Sequence, residues 1–208
     1  SRNRWLLPAF MVMSASWALV AQEPVPAARV RLGDELMAER RYPEALVEYR
    51  SARESEDEAV RVRAGAGAVR SLLRLARFAD AARESAVVAA RDPTNADAVA
   101  VNGDGLWAAG MFLEAEREYA AALAMDPRCA RALHGRARSE AAQFNLDRAL
   151  ELVSLATSIE PNESLYQHTL ASVLEQLRRY PEALSALERY LAQIPREEDE
   201  DLRQAARS

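Results

Sequence analysis

A regular period, in which the same residue types return at a fixed spacing, runs through most of this 208-residue chain and constrains its fold more than any other feature. Four equally spaced prolines mark the period: Pro93, Pro127, Pro161 and Pro195. An alanine stands twelve residues before each of these prolines, and the segment Arg40–Leu46 recurs unchanged as Arg178–Leu184. Periods of about 20 to 50 residues are typical of folds in which one supersecondary unit stacks on the next. We therefore expect a stacked repeat protein.

Each unit of about 34 residues contains two helix-length apolar patterns separated by a short break, and the second pattern ends at the proline. The composition agrees with helices, since 43 residues are alanine and only seven are glycine. Aromatic residues, which favour strands, make up only 6% of the chain. The sequence thus predicts an all-α fold and argues against all-β and collagen-like folds.

The pattern within a unit resembles that of the tetratricopeptide repeat family. The unit at residues 96–129 carries the small, apolar and proline positions of the family at Gly103, Leu106, Gly110, Phe112, Ala115, Tyr119, Ala122 and Pro127. The resemblance implies a right-handed α-solenoid of five helix-turn-helix repeats, at residues 26–59, 62–95, 96–129, 130–163 and 164–197. A two-residue excess falls in the charged stretch Glu54–Glu58, and the family pattern is broken at Asp57, Val69 and Phe144.

The N-terminal segment, residues 1–25, has the pattern of a signal or membrane anchor followed by a proline-rich spacer. Arg2 and Arg4 precede the apolar run Trp5–Ala21, which as a helix spans about 26 Å. Its expected membrane-facing residues are Trp5, Leu6, Leu7, Phe10, Met11, Val12, Trp17, Leu19 and Val20. Basic residues before the run predict a cytoplasmic N-terminus, which places the repeats on the periplasmic side of a bacterial inner membrane.

Whether this apolar segment is retained or cleaved separates two predictions. A chain that starts at Ser1 and still carries the run favours a retained N-terminal helix that acts as a single membrane span. The alternative is signal cleavage, which would release a soluble periplasmic protein. At the other end, residues 198–208 are expected to form an acidic cap or tail, because Glu197–Asp201 are all acidic.

The sequence does not predict an active site or a cofactor. Cys129 is the only cysteine, and no histidine base accompanies it at a recognisable spacing. His134 and His168 occupy the same position of consecutive repeats, but no third ligand completes a metal site, so a pH-sensitive patch is the more plausible role. The formal charge of -5 argues against nucleic acid as a partner. No small-molecule substrate is expected either.

The family resemblance implies a groove lined by the first helix of each repeat. Its expected partner-binding residues are Arg63, Arg70, Arg74, Asp97, Asp104, Trp107, Arg131, His134, Arg138 and His168. Arginine binds carboxylates bidentately and tryptophan is a frequent anchor in interfaces, so the groove would suit an acidic peptide segment with an apolar side chain. Two alternatives stay open: the charges form ion pairs between neighbouring repeats, or Trp107 packs under the next helix.

These features predict a non-enzymatic scaffold for protein–protein interaction. A retained anchor suits a subunit that docks to or stabilises a bacterial membrane complex for secretion, envelope assembly, respiration or photosynthesis. One alternative is a soluble periplasmic adaptor that binds peptides after signal cleavage. Another is an accessory domain of an enzyme whose catalytic part is a separate chain.

Overall fold

The computed structural model describes residues 25–193, which form ten α-helices and no strand. The helices are α1 (Val25–Ala38), α2 (Tyr42–Ala52), α3 (Glu58–Arg74), α4 (Phe78–Arg91), α5 (Ala96–Ala108), α6 (Phe112–Met125), α7 (Ala130–Ala142), α8 (Leu146–Ile159), α9 (Ser164–Gln176) and α10 (Tyr180–Gln193). The prediction of an all-α repeat fold is confirmed for this part of the chain.

The helices form five hairpins stacked in chain order, each made of a first and a second helix. Successive first helices, α1, α3, α5, α7 and α9, pack directly on one another. The second helices of neighbouring hairpins have no comparable contact within residues 25–193. The first helices therefore lie closer together and form one side of the solenoid, which we call the first-helix face.

Every hairpin turn has the same geometry, with one residue in the left-handed backbone region. These residues are Arg40, Ala76, Gly110, Phe144 and Arg178, with φ between 55° and 80°. In each turn, the amide of the next residue donates back to the fifth carbonyl before it, for example Asn145 N to Glu140 O at 2.9 Å. This is the bonding of a Schellman motif, which satisfies carbonyls at the end of the first helix.

The two-residue excess in the period is absorbed around α3. This helix has 17 residues, and its first turn is capped by the Asp57 side chain, which accepts a hydrogen bond from Val60 N at 3.2 Å. The helix begins at Glu58, inside the range we assigned to the first repeat. Asp57 stands where the family has proline, and here it acts as a helix cap.

Two tyrosines form large interlocking contacts between repeats. The ring of Tyr49 lies so close to Gly33 and Gly67 that a Cβ atom added at either glycine would be within 2.7 Å of it. Tyr119 fills the same space between Gly103 and Gly135. Both tyrosines are fully buried. The small residues of the first helices thus make room for a ring from the second helix.

In the second repeat, other residues fill the space that a tyrosine ring occupies in the first and third repeats. Ser85 stands at the position of Tyr119, and Val69 and Val101 stand at the positions of Gly103 and Gly135. All three are buried. Valine in place of glycine therefore compensates for serine in place of tyrosine, and the sequence departure at Val69 is part of this exchange.

The predicted membrane anchor and the acidic C-terminal segment lie outside the described residues. No helix within residues 25–193 is long and apolar enough to cross a membrane.

Candidate partner-binding surface

The most charged part of the first-helix face is centred on Asp104 of α5. Its carboxylate accepts hydrogen bonds from Tyr119 Oη at 2.8 Å and from Arg138 Nη2 at 2.7 Å. Arg131 Nη1 lies 3.2 Å from the same carboxylate, and Arg131 Nε donates to Asp97 at 2.8 Å. Burial alone would raise the pKa of Asp104, but Arg138 and Arg131 hold it below the ordinary value.

A second cluster of the same design joins the first two repeats. Tyr49 Oη donates to Asp34 Oδ1 at 2.7 Å, and Arg63 Nη2 lies 2.5 Å from Asp34 Oδ2. Arg70 Nη2 is farther away, 3.9 Å from Oδ1. Burial and the hydrogen bond to Asp34 raise the pKa of the Tyr49 hydroxyl, which therefore stays protonated. Most of the expected groove charges are thus bound to one another between neighbouring repeats.

Two of the expected arginines keep donors available for a partner. Arg70 is half exposed and has only the 3.9 Å approach to Asp34. Arg74 is exposed and makes no ion pair or side-chain hydrogen bond with any residue in the range 25–193. Both lie on α3, and Arg74 is its last residue, next to the hairpin turn.

Trp107 is only partly exposed. Its ring packs edge-on against Phe112, with 4.7 Å between centroids, and against the buried cluster of α5 and α6. The guanidinium of Arg138 lies 5.3 Å from the Trp107 ring centroid, within the range of a cation–π contact. Trp107 therefore joins the first-helix face to the neighbouring turn instead of standing free in a groove.

His134 does not line an open surface, which corrects our expectation. Its side chain is buried, with Nε2 2.9 Å from Thr169 Oγ1 and its ring stacked near Tyr166, 4.6 Å between centroids. Burial, with help from Arg138, lowers the pKa of His134 to about 3, so it is not a sensor near neutral pH. The cause is the next repeat, whose helix α9 covers the imidazole.

His168 is exposed and contacts the ring of Tyr190 at 5.1 Å between centroids. Within the described residues, no group of three or more histidine, cysteine, aspartate or glutamate side chains is placed to hold a metal ion. Cys129 is buried, and burial raises the pKa of its thiol to about 11. That thiol is therefore poorly suited to act as a nucleophile.

The structure also reveals an apolar surface that the sequence did not single out. It consists of large side chains on and beside three consecutive hairpin turns, which we call the turn edge: Phe78, Met111, Phe112, Leu113 and Phe144. Phe144 is 80% exposed and Leu113 76%. Phe78 and Phe112 stand at a position that is aromatic or leucine in every repeat, so the period itself marks them, and Phe144 stands where glycine is usual. Met111 could not be found in this way, because the same position is arginine or asparagine in the other four repeats.

Comparison with known proteins agrees with this architecture. Residues 106–173 match the tetratricopeptide repeat family. No curated protein matches the chain significantly. Among solved structures, a thermophilic tetratricopeptide repeat protein from Thermus thermophilus is 23% identical, with 87% of this chain and 97% of that chain covered and a TM-score of 0.66.

A tetratricopeptide repeat protein from Parabacteroides merdae is 17% identical, with 84% of this chain and 68% of that chain covered and a TM-score of 0.53. At these identities the likeness is one of fold. Residues 106–173 therefore match the tetratricopeptide repeat family, and residues 25–193 share the fold of these repeat proteins.

Proposed function

We propose that this protein is a non-enzymatic docking scaffold that holds a partner protein against the turn edge and the adjoining end of the first-helix face. The observation that carries the proposal is the exposed apolar surface on three consecutive turns. Soluble proteins rarely expose large contiguous apolar patches unless the patch is used for binding. Phe112, Leu113 and Phe144 are exposed by 53%, 76% and 80% on two consecutive turns.

The backbone at Phe144 supports the same proposal. Its φ of 61° lies in the left-handed region, which a bulky side chain adopts only at a cost in free energy. Gly110 occupies the equivalent place in the preceding turn with no such cost. Arg40, Ala76 and Arg178 adopt the same conformation in their turns, so what distinguishes Phe144 is the large apolar ring that it presents to solvent.

The charges at the turn edge indicate the chemistry of the partner. Arg74 ends α3 beside its turn and has no partner among residues 25–193, and Arg70 lies one turn of helix before it. An arginine without a carboxylate partner at an interface favours an acidic group on the other protein. The partner segment we propose therefore presents apolar side chains to the turn edge and a carboxylate to Arg70 and Arg74.

Site-specific photo-crosslinking in the native host tests this function. A photoreactive residue at Leu113 should capture the partner, and one at Phe144 should capture the same protein. The matched control is Val87, which is also an exposed apolar residue but lies on α4. Charge reversal by R70E and R74E should reduce capture at Leu113. Equal capture at Val87 and Leu113 would place the docking surface elsewhere.

We also propose that residues 5–21 hold the protein at the inner membrane, with the repeats on the periplasmic side, as a subunit of a membrane complex. The support is the apolar run behind Arg2 and Arg4. Alkaline extraction of membranes should leave the protein in the pellet, and its intact mass should include residues 1–21. A mass that lacks this segment would favour the periplasmic adaptor released by signal cleavage.

A further inference from the structure

Polar and charged side chains pack together at one place between the third and fourth repeats. Arg136 Nε lies 3.2 Å from Glu116, and Arg136 Nη2 lies 3.4 Å from Glu140. Asn145 donates to the other oxygen of Glu140 at 2.9 Å. Leu152 of α8 is buried beside them. These side chains fill the space between α6, α7 and α8.

The same place between the fourth and fifth repeats is built differently. Leu150, Leu170 and Leu174 stand one period after the three charged residues, and Ala186 stands one period after Leu152. Three leucines thus replace the ion pairs, and the smaller alanine leaves space. The result is a cavity of about 240 Å³ between α8, α9 and α10, with Leu170, Leu174 and Ala186 buried in its wall.

The size of this cavity favours a single side chain, and its wall combines the leucines with Ser154 and Ser185. Sites for whole small molecules usually have volumes of about 300 to 1,000 Å³. An apolar cavity of about 150 Å³ already accepts a ring the size of benzene. One leucine or phenylalanine side chain therefore fits the cavity of 240 Å³ between α8 and α10.

The charges at the rim of the cavity favour an occupant that carries a negative charge. Arg179 and Glu182 are paired with each other, with 2.6 Å between Nη2 and Oε2. Arg189 is exposed on the same rim and forms no ion pair or side-chain hydrogen bond with any residue in the range 25–193. A suitable occupant carries an apolar side chain close to at least one carboxylate.

We propose that the occupant is this chain's own segment 197–202, with Leu202 in the cavity and carboxylates of Glu197–Asp201 beside Arg189. The segment is the part of residues 194–208 that joins an acidic run to a large apolar side chain. It is also close, since α10 ends at Gln193, one turn after Arg189. Nine residues reach up to about 30 Å, whereas the helix from Gln193 back to Ser185 measures about 12 Å.

Disulfide trapping in the full chain tests the contact. Ser185 lines the cavity and is half-buried, so S185C with L202C should form an intramolecular disulfide under oxidised glutathione. The bond requires Cα atoms within about 7 Å of each other. The native Cys129 is buried with a raised thiol pKa, so it does not compete. The matched control is L187C with L202C, which reports a segment lying over the exposed side of α10 instead.

Each outcome of the trapping decides the proposal. A monomeric disulfide at 185–202 that forms about tenfold or more faster than at 187–202 supports it, because a docked segment has a high effective concentration at its own site. A disulfide only at 187–202 overturns it in favour of a cap over α10. A disulfide between two chains would mean that the segment of a second copy occupies the cavity. If no disulfide forms, the segment does not reach the cavity. Either result overturns the proposal.

A double-mutant cycle, measured by thermal unfolding, provides an independent readout. L202A should lower the melting temperature by about 2–4 °C, the size expected for one buried apolar side chain in a chain of this length. A186L introduces at position 186 the leucine that stands one period earlier, at position 152, and this side chain fills the cavity. In that background L202A should have no effect on the melting temperature. An equal effect of L202A in both backgrounds would contradict docking in the cavity.

Discussion

Arg138 of the fourth repeat binds Asp104 of the third, with 2.7 Å between Nη2 and Oδ1, and its Nη2 also donates to Tyr119 Oη at 2.8 Å. Tyr119 in turn donates to Asp104 at 2.8 Å. The three groups form a closed ring of hydrogen bonds across the boundary between the two repeats. Asp34, Tyr49 and Arg63 form the corresponding cluster between the first two repeats.

The two clusters join the first repeat to the second and the third repeat to the fourth. Within the described residues, no ion pair joins α3 to α5 on the first-helix face, although both helices carry charges there. Tyr49 and Tyr119 each donate a hydrogen bond to the carboxylate, Asp34 or Asp104, that binds the following repeat. The second repeat lacks both partners, because Ser85 stands at the tyrosine position and Arg70 stands at the aspartate position.

Removing the charge at Asp104 should destabilise the fold more than removing it at Asp34. The Asp104 side chain is 19% exposed and binds two arginines closely, whereas Asp34 is 33% exposed and binds one. We expect D104N to lower the free energy of unfolding by about 2–3 kcal/mol and D34N by about 1 kcal/mol or less. Urea unfolding followed by circular dichroism measures both. Equal losses would mean that the second arginine contributes nothing.

The tyrosine and its two glycines should be replaceable by serine and two valines only when all three positions change together. A Cβ atom at Gly135 would lie 2.3 Å from the Tyr119 ring, so we expect G135V to cost about 3 kcal/mol through overpacking. Adding Y119S and G103V recreates the combination of Ser85, Val69 and Val101 that the second repeat uses.

The triple variant should therefore be more stable than the sum of its single variants predicts, by at least about 1 kcal/mol. The single variants G135V, Y119S and G103V, unfolded in urea under the same conditions, supply that sum. Strict additivity would show that the serine and valine positions are not coupled.

The repeat architecture could be predicted because it depends on local signals. The segment Arg40–Leu46 contains the turn and the start of a second helix, and its copy at Arg178–Leu184 has the same structure. Prolines one period apart mark the ends of second helices in the same way. These signals act within one hairpin, so the chain sequence contains them directly.

The surface residues were harder to predict because their surroundings come from other repeats. His134 occupies a groove position by register, yet Tyr166 and Thr169 of the next repeat cover it. An arginine on a first helix can pair with the repeat before it or after it, and only the packed structure shows that Arg131 pairs backward with Asp97. Exposure at the turn edge likewise depends on how neighbouring turns are placed.

Replacing Phe144 by glycine should stabilise the protein. The residue has a φ of 61° and its ring is 80% exposed, so the substitution relieves backbone strain and loses little packing. We expect F144G to raise the free energy of unfolding by about 1 kcal/mol. F144A is the control, because alanine removes the ring but keeps the unfavourable φ, and it should give no such gain.

The matched substitution in the preceding turn is G110A, which should cost about 1 kcal/mol because Gly110 has a φ of 80°. A partner that docks on the turn edge should be lost in both F144G and F144A. Stability and docking would then change independently at this residue, which separates the strain from the use of the ring.

Acidification should destabilise the protein through His134. Its pKa is lowered to about 3 by burial and by Arg138, whereas a histidine in the unfolded chain has a pKa of about 6.5. Between these two values only the unfolded chain binds the proton, so stability falls as the pH drops below about 6.5 and stops falling near 3. At pH 5 the loss from this group amounts to about 2 kcal/mol relative to pH 7.5.

The variant H134Q separates this loss from the titration of carboxylates. Glutamine carries no titratable group and keeps a donor within reach of Thr169, which lies 2.9 Å from the imidazole Nε2. Unfolding in urea at pH 7.5 and pH 5 should therefore give a difference about 2 kcal/mol smaller for H134Q than for the natural chain. If H134Q and the natural chain lose the same stability on acidification, the imidazole is not held neutral by burial under α9.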